Sequence, residues 1–145
     1  MKRIIFLIIL AFFLNNLNAE EIVSSNKFDI RRNAVYYELF GNGFWHSVNY
    51  DRLFPFNQKS GLVVRGGLSY YEKVFTLGEI NFLTGNQKHH FETGVGYTAF
   101  PEGHVVFFRT GYRYHGKKGF VLRASPLYCP TEMFFWFGIS LGYSF

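Results

Sequence analysis

Cysteine is almost absent from this chain of 145 residues, and charged residues are scarce. The single cysteine excludes a disulfide framework and any metal site built from cysteine alone. Only 17% of the residues are charged while 21% are aromatic, which is the opposite of the balance found in disordered chains. The lysines and arginines are dispersed and do not form the basic patch that nucleic-acid binding requires. The length and composition therefore indicate one folded domain that does not bind nucleic acid.

The apolar run near the N-terminus is too short to cross a membrane as a helix. It covers residues 4–14, follows two basic residues and leads through a short polar stretch to Ala19. A membrane-spanning helix needs about 20 apolar residues, whereas this order of features is typical of a secretory signal peptide. We therefore expect residues 1–19 to be a cleaved signal peptide and residues 20–33 to be an N-terminal lead-in. A short membrane anchor or a buried helix is the alternative.

Helical periodicity is absent from the rest of the sequence. Apolar residues alternate with small or polar ones, which is the two-residue period of a β-strand. Seven turn signals rich in glycine, asparagine and proline separate eight segments. The predicted strands are residues 34–41, 44–54, 61–71, 74–84, 89–100, 104–115, 120–128 and 134–145. An even number of consecutive hairpins predicts an all-β fold, an eight-stranded antiparallel up-and-down β-barrel over residues 34–145.

Each predicted strand has one face of large apolar residues and one face of small residues. In the last strand, Phe137 and Ile139 share one face, whereas Gly138 and Ser140 share the other. A soluble barrel would place the large residues inside, and a transmembrane barrel would place them against lipid. Glycine and serine suit the narrow interior of an eight-stranded barrel and would make a poor soluble surface. The pattern therefore predicts a transmembrane β-barrel.

The predicted inner face carries four acidic residues and four arginines. They are Glu38, Asp51, Arg65, Glu79, Glu92, Arg109, Arg113 and Arg123. Every lysine after the signal segment falls in a turn or in the lead-in, and arginine is the cation better suited to buried bidentate pairing. Because buried charges must be paired, we expect an ion-pair network that fills the lumen. A conducting or proton-relaying lumen is the alternative, although eight strands leave no aqueous channel.

The inner positions near the predicted outer rim are apolar instead. They are Phe40, Trp45, Phe75, Leu77, Val105 and Phe107. Such side chains either pack as a dry layer above the charges or line a shallow mouth that holds one small hydrophobic ligand. The sequence leaves both interpretations open.

Catalytic and metal-binding patterns are weak in this sequence. His46 and Ser47 are adjacent in a strand, so their side chains point to opposite faces and cannot form a nucleophile–base pair. His89 and His90 diverge for the same reason, which makes them poor ligands for one metal ion. We therefore expect no catalytic residue, no cofactor and no metal, with a lipid-modifying hydrolase or acyltransferase as the alternative.

The C-terminal strand alternates large apolar residues and ends on an aromatic residue, with Tyr143 and Phe145 as its last two large side chains. Together with the signal segment and the eight alternating strands, this pattern resembles small bacterial outer-membrane β-barrel proteins. Residues 47–54 and the final Gly-Tyr-Ser-Phe resemble an uncharacterised Bacteroidota-type family of this kind. In such proteins the terminal aromatic strand is read by the barrel-assembly machinery. The resemblance thus implies that Tyr143 and Phe145 are an assembly signal and that the protein lies in the outer membrane.

The same interpretation defines the expected partners and role. Outer-membrane lipid and the barrel-assembly machinery are the expected partners, and we expect a monomer. All predicted turns are short, whereas outer-membrane receptors typically carry longer extracellular loops. We therefore expect a structural or accessory barrel with a plugged, charge-paired interior. The alternatives are a narrow channel or small hydrophobic-ligand binding barrel, and a lipid A-modifying outer-membrane enzyme.

Overall fold

Eight consecutive β-strands make up most of the chain in the computed structural model, which describes residues 31–101 and 103–145. The strands are β1 Asn33–Leu39, β2 His46–Pro55, β3 Ser60–Tyr71, β4 Lys73–Asn86, β5 His89–Phe100, β6 Gly103–His115, β7 Phe120–Cys129 and β8 Phe134–Ser144. Each strand pairs antiparallel with the next, and β8 pairs with β1, so the sheet closes into a barrel. The described residues contain no helix that is long and apolar enough to cross a membrane.

The all-β, eight-stranded antiparallel barrel predicted from the sequence is confirmed. Every predicted strand has a counterpart whose bounds differ by two residues or fewer. The predicted signal peptide, residues 1–19, and residues 20–30 of the lead-in lie outside the described residues. The lead-in was expected to reach residue 33, but Asn33 already belongs to β1 because it pairs with Arg52 of β2.

The barrel has two distinguishable ends. The terminal end holds Asn33 and Phe145, whose backbones exchange hydrogen bonds of 3.2 and 2.9 Å. Arg31 fastens the chain there, since its Nη1 donates to Tyr143 Oη at 2.9 Å and to the backbone oxygen of Ser144 at 2.8 Å. The opposite end, called the loop end, holds residues 40–45, 72, 101 and 130–133 of the connections between strands.

Side chains alternate between the barrel interior and its outer surface, as the predicted faces require. In β8, Ser140 is buried, whereas Leu141 exposes 54% of its surface. The interior is too narrow for a side chain at several glycines: a Cβ on Gly142 would lie 2.2 Å from the Cβ of Tyr36, and one on Gly96 would lie 2.0 Å from Cζ of Phe107. Small residues therefore lie inside because larger inner side chains occupy the space beside them.

Candidate functional site

All eight charged residues predicted to face the lumen are buried inside the barrel. Each exposes 3% of its surface or less, and the eight are Glu38, Asp51, Arg65, Glu79, Glu92, Arg109, Arg113 and Arg123. Seven neighbouring strands contribute them, and the two-residue alternation of each strand turns the side chain inward. The structure thus brings the whole predicted set together in one interior volume.

One cluster of ion pairs is centred on Glu38 and Glu79. Arg109 Nη1 donates to Glu38 Oε1 at 2.8 Å, and Arg65 Nη1 donates to Glu79 Oε2 at 2.7 Å. Arg109 Nε lies 3.0 Å from Glu79 Oε1, so one guanidinium faces both carboxylates. Ser140 Oγ in β8 donates a further hydrogen bond of 3.0 Å to Glu38 Oε1. The cluster therefore joins strands on opposite sides of the barrel.

A second cluster continues the network toward the terminal end. Arg113 forms a bidentate pair with Asp51, with N–O distances of 2.8 and 3.1 Å. Arg123 donates to both carboxylate oxygens of Glu92, and its Nε–Oε2 distance is 3.1 Å. Arg65 links the clusters, since its Nη2 donates to Glu92 Oε1 at 3.1 Å. Every predicted lumen charge thus contacts an opposite charge.

Tyr36 is an interior residue that the sequence analysis missed. The guanidinium carbons of Arg65 and Arg123 lie 5.0 and 5.2 Å from the centroid of its ring. These are distances at which a cation is attracted to the face of an aromatic ring. The Tyr36 hydroxyl also accepts a hydrogen bond of 3.2 Å from Arg123 Nη1. Its spacing of two residues from Glu38 was the signal that could have identified it.

The connection between β1 and β2, here called the inward loop (residues 40–45), turns into the barrel. The predicted strands 34–41 and 44–54 leave room for no more than a short hairpin turn here. Asn42 is fully buried, and its Nδ2 donates to Glu79 Oε2 at 3.1 Å. Thr98 Oγ1 in turn donates to the backbone oxygen of Asn42 at 2.8 Å. The inward loop is therefore bonded directly to the ion-pair network.

The glycines of the inward loop are required for close packing rather than for positive φ angles. A Cβ on Gly41 would lie 2.0 Å from Cδ of Glu38, and one on Gly43 would lie 2.7 Å from the Cβ of Ser47. Phe40 and Phe44 carry the positive φ angles instead, at 53° and 62°. These two residues turn the chain inward at the ends of the segment.

The structure separates the six residues of the predicted apolar mouth into two groups. Phe75, Leu77 and Phe107 are buried, Phe40 and Trp45 expose more than half of their surfaces, and Val105 is intermediate. The dry packed layer expected as one interpretation therefore describes Phe107, which exposes only 1% of its surface.

A cleft of about 610 Å³, here called the notch, opens at the loop end between the β3–β4 and β5–β6 hairpins. Pairing between β4 and β5 stops at Thr76 and Ala99, so the hairpin tips separate beyond that pair. Three of the predicted mouth residues, Trp45, Phe75 and Val105, line the notch. The other three lie outside its lining.

Aromatic rings form the floor of the notch. The ring of Phe100 lies 5.4 Å from that of Phe44 and 4.8 Å from that of Phe75, measured between centroids. Phe44 also stacks on Trp136 at 5.9 Å. Phe44 and Glu72, which both line the notch, have φ angles of 62° and 60°. Such strained backbone at non-glycine residues is concentrated at functional sites.

In the described part of the chain, the histidines are divided between the interior and the outer surface of the barrel. Ser47 is buried, and its neighbour His46 is partly exposed on the other face. His89 is exposed and contacts the hydroxyl of Tyr112 at 2.5 Å, whereas His90 is buried with its ring 5.3 Å from that of His115. Across residues 31–101 and 103–145, no three metal-ligating side chains are grouped closely enough to hold an ion.

No protein-family model, curated protein or solved structure matches this chain. The resemblance to bacterial outer-membrane proteins therefore stays a prediction from the sequence.

Proposed function

We propose that this protein is a bacterial outer-membrane β-barrel with a structural or accessory role, whose interior is closed by its own ion pairs and by the inward loop. Its signal segment and C-terminal strand direct it to that membrane, through the barrel-assembly machinery. The proposal rests chiefly on the outer surface of the barrel, where the exposed side chains are large and apolar.

The outer surface is arranged in bands that suit a lipid bilayer. Exposed aliphatic residues predominate in the middle, among them Val48, Leu68, Ile80, Val95 and Leu141, with Phe108 beside them. Aromatic residues flank this band, with Tyr70, Tyr97 and Phe135 toward the loop end and Phe120, Tyr143 and Phe145 toward the terminal end. Outer-membrane barrels carry such an apolar band between two aromatic girdles. Seven of the eight strands have 10 or more residues, which is enough to cross the hydrocarbon layer when tilted.

The interior supports a closed barrel rather than a pore. The four arginines and four acids neutralise one another, and the hydrogen bond from Asn42 to Glu79 ties the inward loop to them. An eight-stranded barrel has room inside only for side chains. We therefore expect side chains to fill the lumen without a column of water.

Membrane fractionation combined with heat-modifiable gel mobility tests the proposal. A folded outer-membrane barrel resists detergent at room temperature and migrates differently after boiling. We expect the protein in the outer-membrane fraction with two such mobilities. Recovery as a soluble periplasmic protein would refute the proposed location.

The notch favours a second candidate function, a barrel that binds a small hydrophobic ligand at its mouth. Its volume of about 610 Å³ falls within the range of small-molecule sites. A saturable interaction of purified protein with an apolar probe would support this function. If no such interaction is found, only the structural or accessory role of the closed barrel remains.

A further inference from the structure

The notch differs from the middle of the outer surface in the chemistry of its walls. The outer band is mainly aliphatic, whereas the rings of Phe44, Trp45, Phe75 and Phe100 line the notch together. Lipid tails are as apolar as aliphatic side chains, so burial alone gives a flexible chain little reason to leave the bilayer for the notch. Selective binding in the notch therefore requires a molecule whose interaction energy with aromatic rings is more favourable than its interaction energy with lipid tails.

An aromatic molecule has that property. Pairs of aromatic rings in offset or tilted arrangement gain interaction energy beyond the area they bury, which corresponds to roughly tenfold in affinity for one or two such contacts. The rings of the floor are tilted to one another by 54° and 45°, so they present both edges and faces.

The rim of the notch is polar. Glu72, Lys73 and His104 line it beside the aromatic floor, and Glu72 and His104 are exposed. The positive φ of Glu72 places this polar turn at the edge of the cleft, next to β4. A polar substituent on a bound ring therefore has hydrogen-bonding and charged partners at the entrance.

We propose that the notch binds one apolar aromatic molecule that carries a polar substituent, with its ring against the phenylalanine floor and its polar group at the Glu72–Lys73 turn. This inference deepens the second candidate function and rests on it. Binding places the ligand against Phe44, which is a residue of the inward loop.

Tryptophan fluorescence provides the test, because both tryptophans of the chain report on the notch. Trp45 lines the notch, and Trp136 stacks on Phe44. The protein in lipid nanodiscs is titrated with bromonaphthalene, whose bromine quenches tryptophan on contact, and separately with bromooctane. We expect saturable quenching by bromonaphthalene. For bromooctane we expect only a linear rise, or saturation at about tenfold higher concentration, because it lacks a ring.

The chain offers a matched pair of variants. Gly103 lines the notch and Gly66 lies on the outer face of β3, and a Cβ built on either meets no heavy atom within 4 Å. Gly103→Leu places a side chain in the notch and should abolish the saturable component, while Gly66→Leu should preserve it. Val105→Phe narrows the notch from β6 and should act as Gly103→Leu does if the latter fails to fold.

Three results would overturn the inference. Saturable quenching that survives both Gly103→Leu and Val105→Phe places the probe elsewhere, and purely linear quenching of the wild-type protein means that the notch is empty. Equal half-saturation by bromooctane and bromonaphthalene rejects the aromatic class. Heat-modifiable mobility of the same samples reports whether the barrel is folded, and membrane fractionation reports its location. A wrong location can therefore be distinguished from a failure of ligand binding.

Discussion

At the scale of single residues, Arg109 is the cation that faces both carboxylates of the central cluster. It lies 2.8 Å from Glu38 and 3.0 Å from Glu79 and is almost completely buried. Arg109→Leu leaves both carboxylates short of a positive partner, and breaking a buried pair typically costs roughly 3–5 kcal/mol. We therefore expect a large drop in the free energy of unfolding, measured by urea titration in lipid vesicles.

Arg52→Leu is the matched control for this change. Arg52 lies half-buried on the outer face of β2, with its guanidinium carbon 5.8 Å from the ring centroid of Phe54. Surface substitutions usually change stability by no more than about 0.5 kcal/mol. Equal effects of Arg109→Leu and Arg52→Leu would contradict the importance of the buried network.

Phe108, the residue before Arg109 in the sequence, tests whether the outer surface faces lipid. Phe108 points outward from the middle of β6 and exposes 52% of its surface. In a bilayer, Phe108→Arg should lower the free energy of unfolding by about 2–4 kcal/mol, because an arginine at the membrane midplane costs that much. The same measurement on Thr131→Arg, in the exposed β7–β8 connection, should show little change. A silent Phe108→Arg would mean that this face is in water.

At the scale of elements, Phe145 directly follows β8 and combines the proposed assembly signal with the closure of the barrel. Phe145 exposes 54% of its side chain, whereas its backbone N–H donates to the Asn33 oxygen at 2.9 Å. Phe145→Ala removes the aromatic ring and keeps the backbone bonds. We expect slower appearance of the heat-modifiable form in cells, with unfolding of the purified barrel nearly unchanged.

Deletion of Phe145 provides the contrast, since it also removes both backbone bonds with Asn33. That variant should assemble slowly and unfold more easily. If Phe145→Ala assembles at the wild-type rate, the terminal ring is not an assembly signal.

The strands could be predicted because their two-residue alternation is a local property of the sequence. The two-residue alternation alone identified Glu38 and Arg109 as inner residues, and the structure places both inside the barrel. The inward loop could not be predicted in this way. Its path depends on Ser69, Thr98 and Trp136, which come from three other strands and donate hydrogen bonds to its backbone oxygens. The Gly-Asn-Gly sequence is equally compatible with a turn that points away from the barrel. The contacts that select the inward path exist only in the closed barrel.

The notch was partly predicted for a related reason. Alternation identified Phe75 and Val105 as inner residues near the rim, and both line the notch. Phe44 and Phe100 were missed as lining residues, because the separation of the hairpin tips depends on where the pairing of β4 with β5 ends. Sequence alternation predicts on which face of a strand a residue lies. It does not predict where the hydrogen bonding between two strands ends.

At the scale of the whole molecule, the proposed closed interior predicts the absence of conduction. Because the buried charges are paired and the inward loop is bonded to them, we expect no continuous water path through the eight-stranded barrel. Purified protein in planar lipid bilayers should therefore give no steady current under applied voltage. A reproducible unitary current would refute the closed interior and favour the narrow channel.

We expect the inward loop also to govern how long the folded barrel persists. The side-chain hydrogen bond from Asn42 to Glu79 joins residues 37 positions apart, and the bonds that Thr98 and Trp136 donate to the loop span 56 and 95 positions, so all three can form only after later strands lie beside the first hairpin. Interactions absent from the folding transition state slow unfolding without changing the folding rate. Asn42→Ala should therefore speed unfolding in lipid vesicles while refolding keeps its wild-type rate, and slower refolding would contradict this order of events. The inward loop would then act as a latch that sets kinetic stability, the lifetime of each molecule, rather than its speed of assembly.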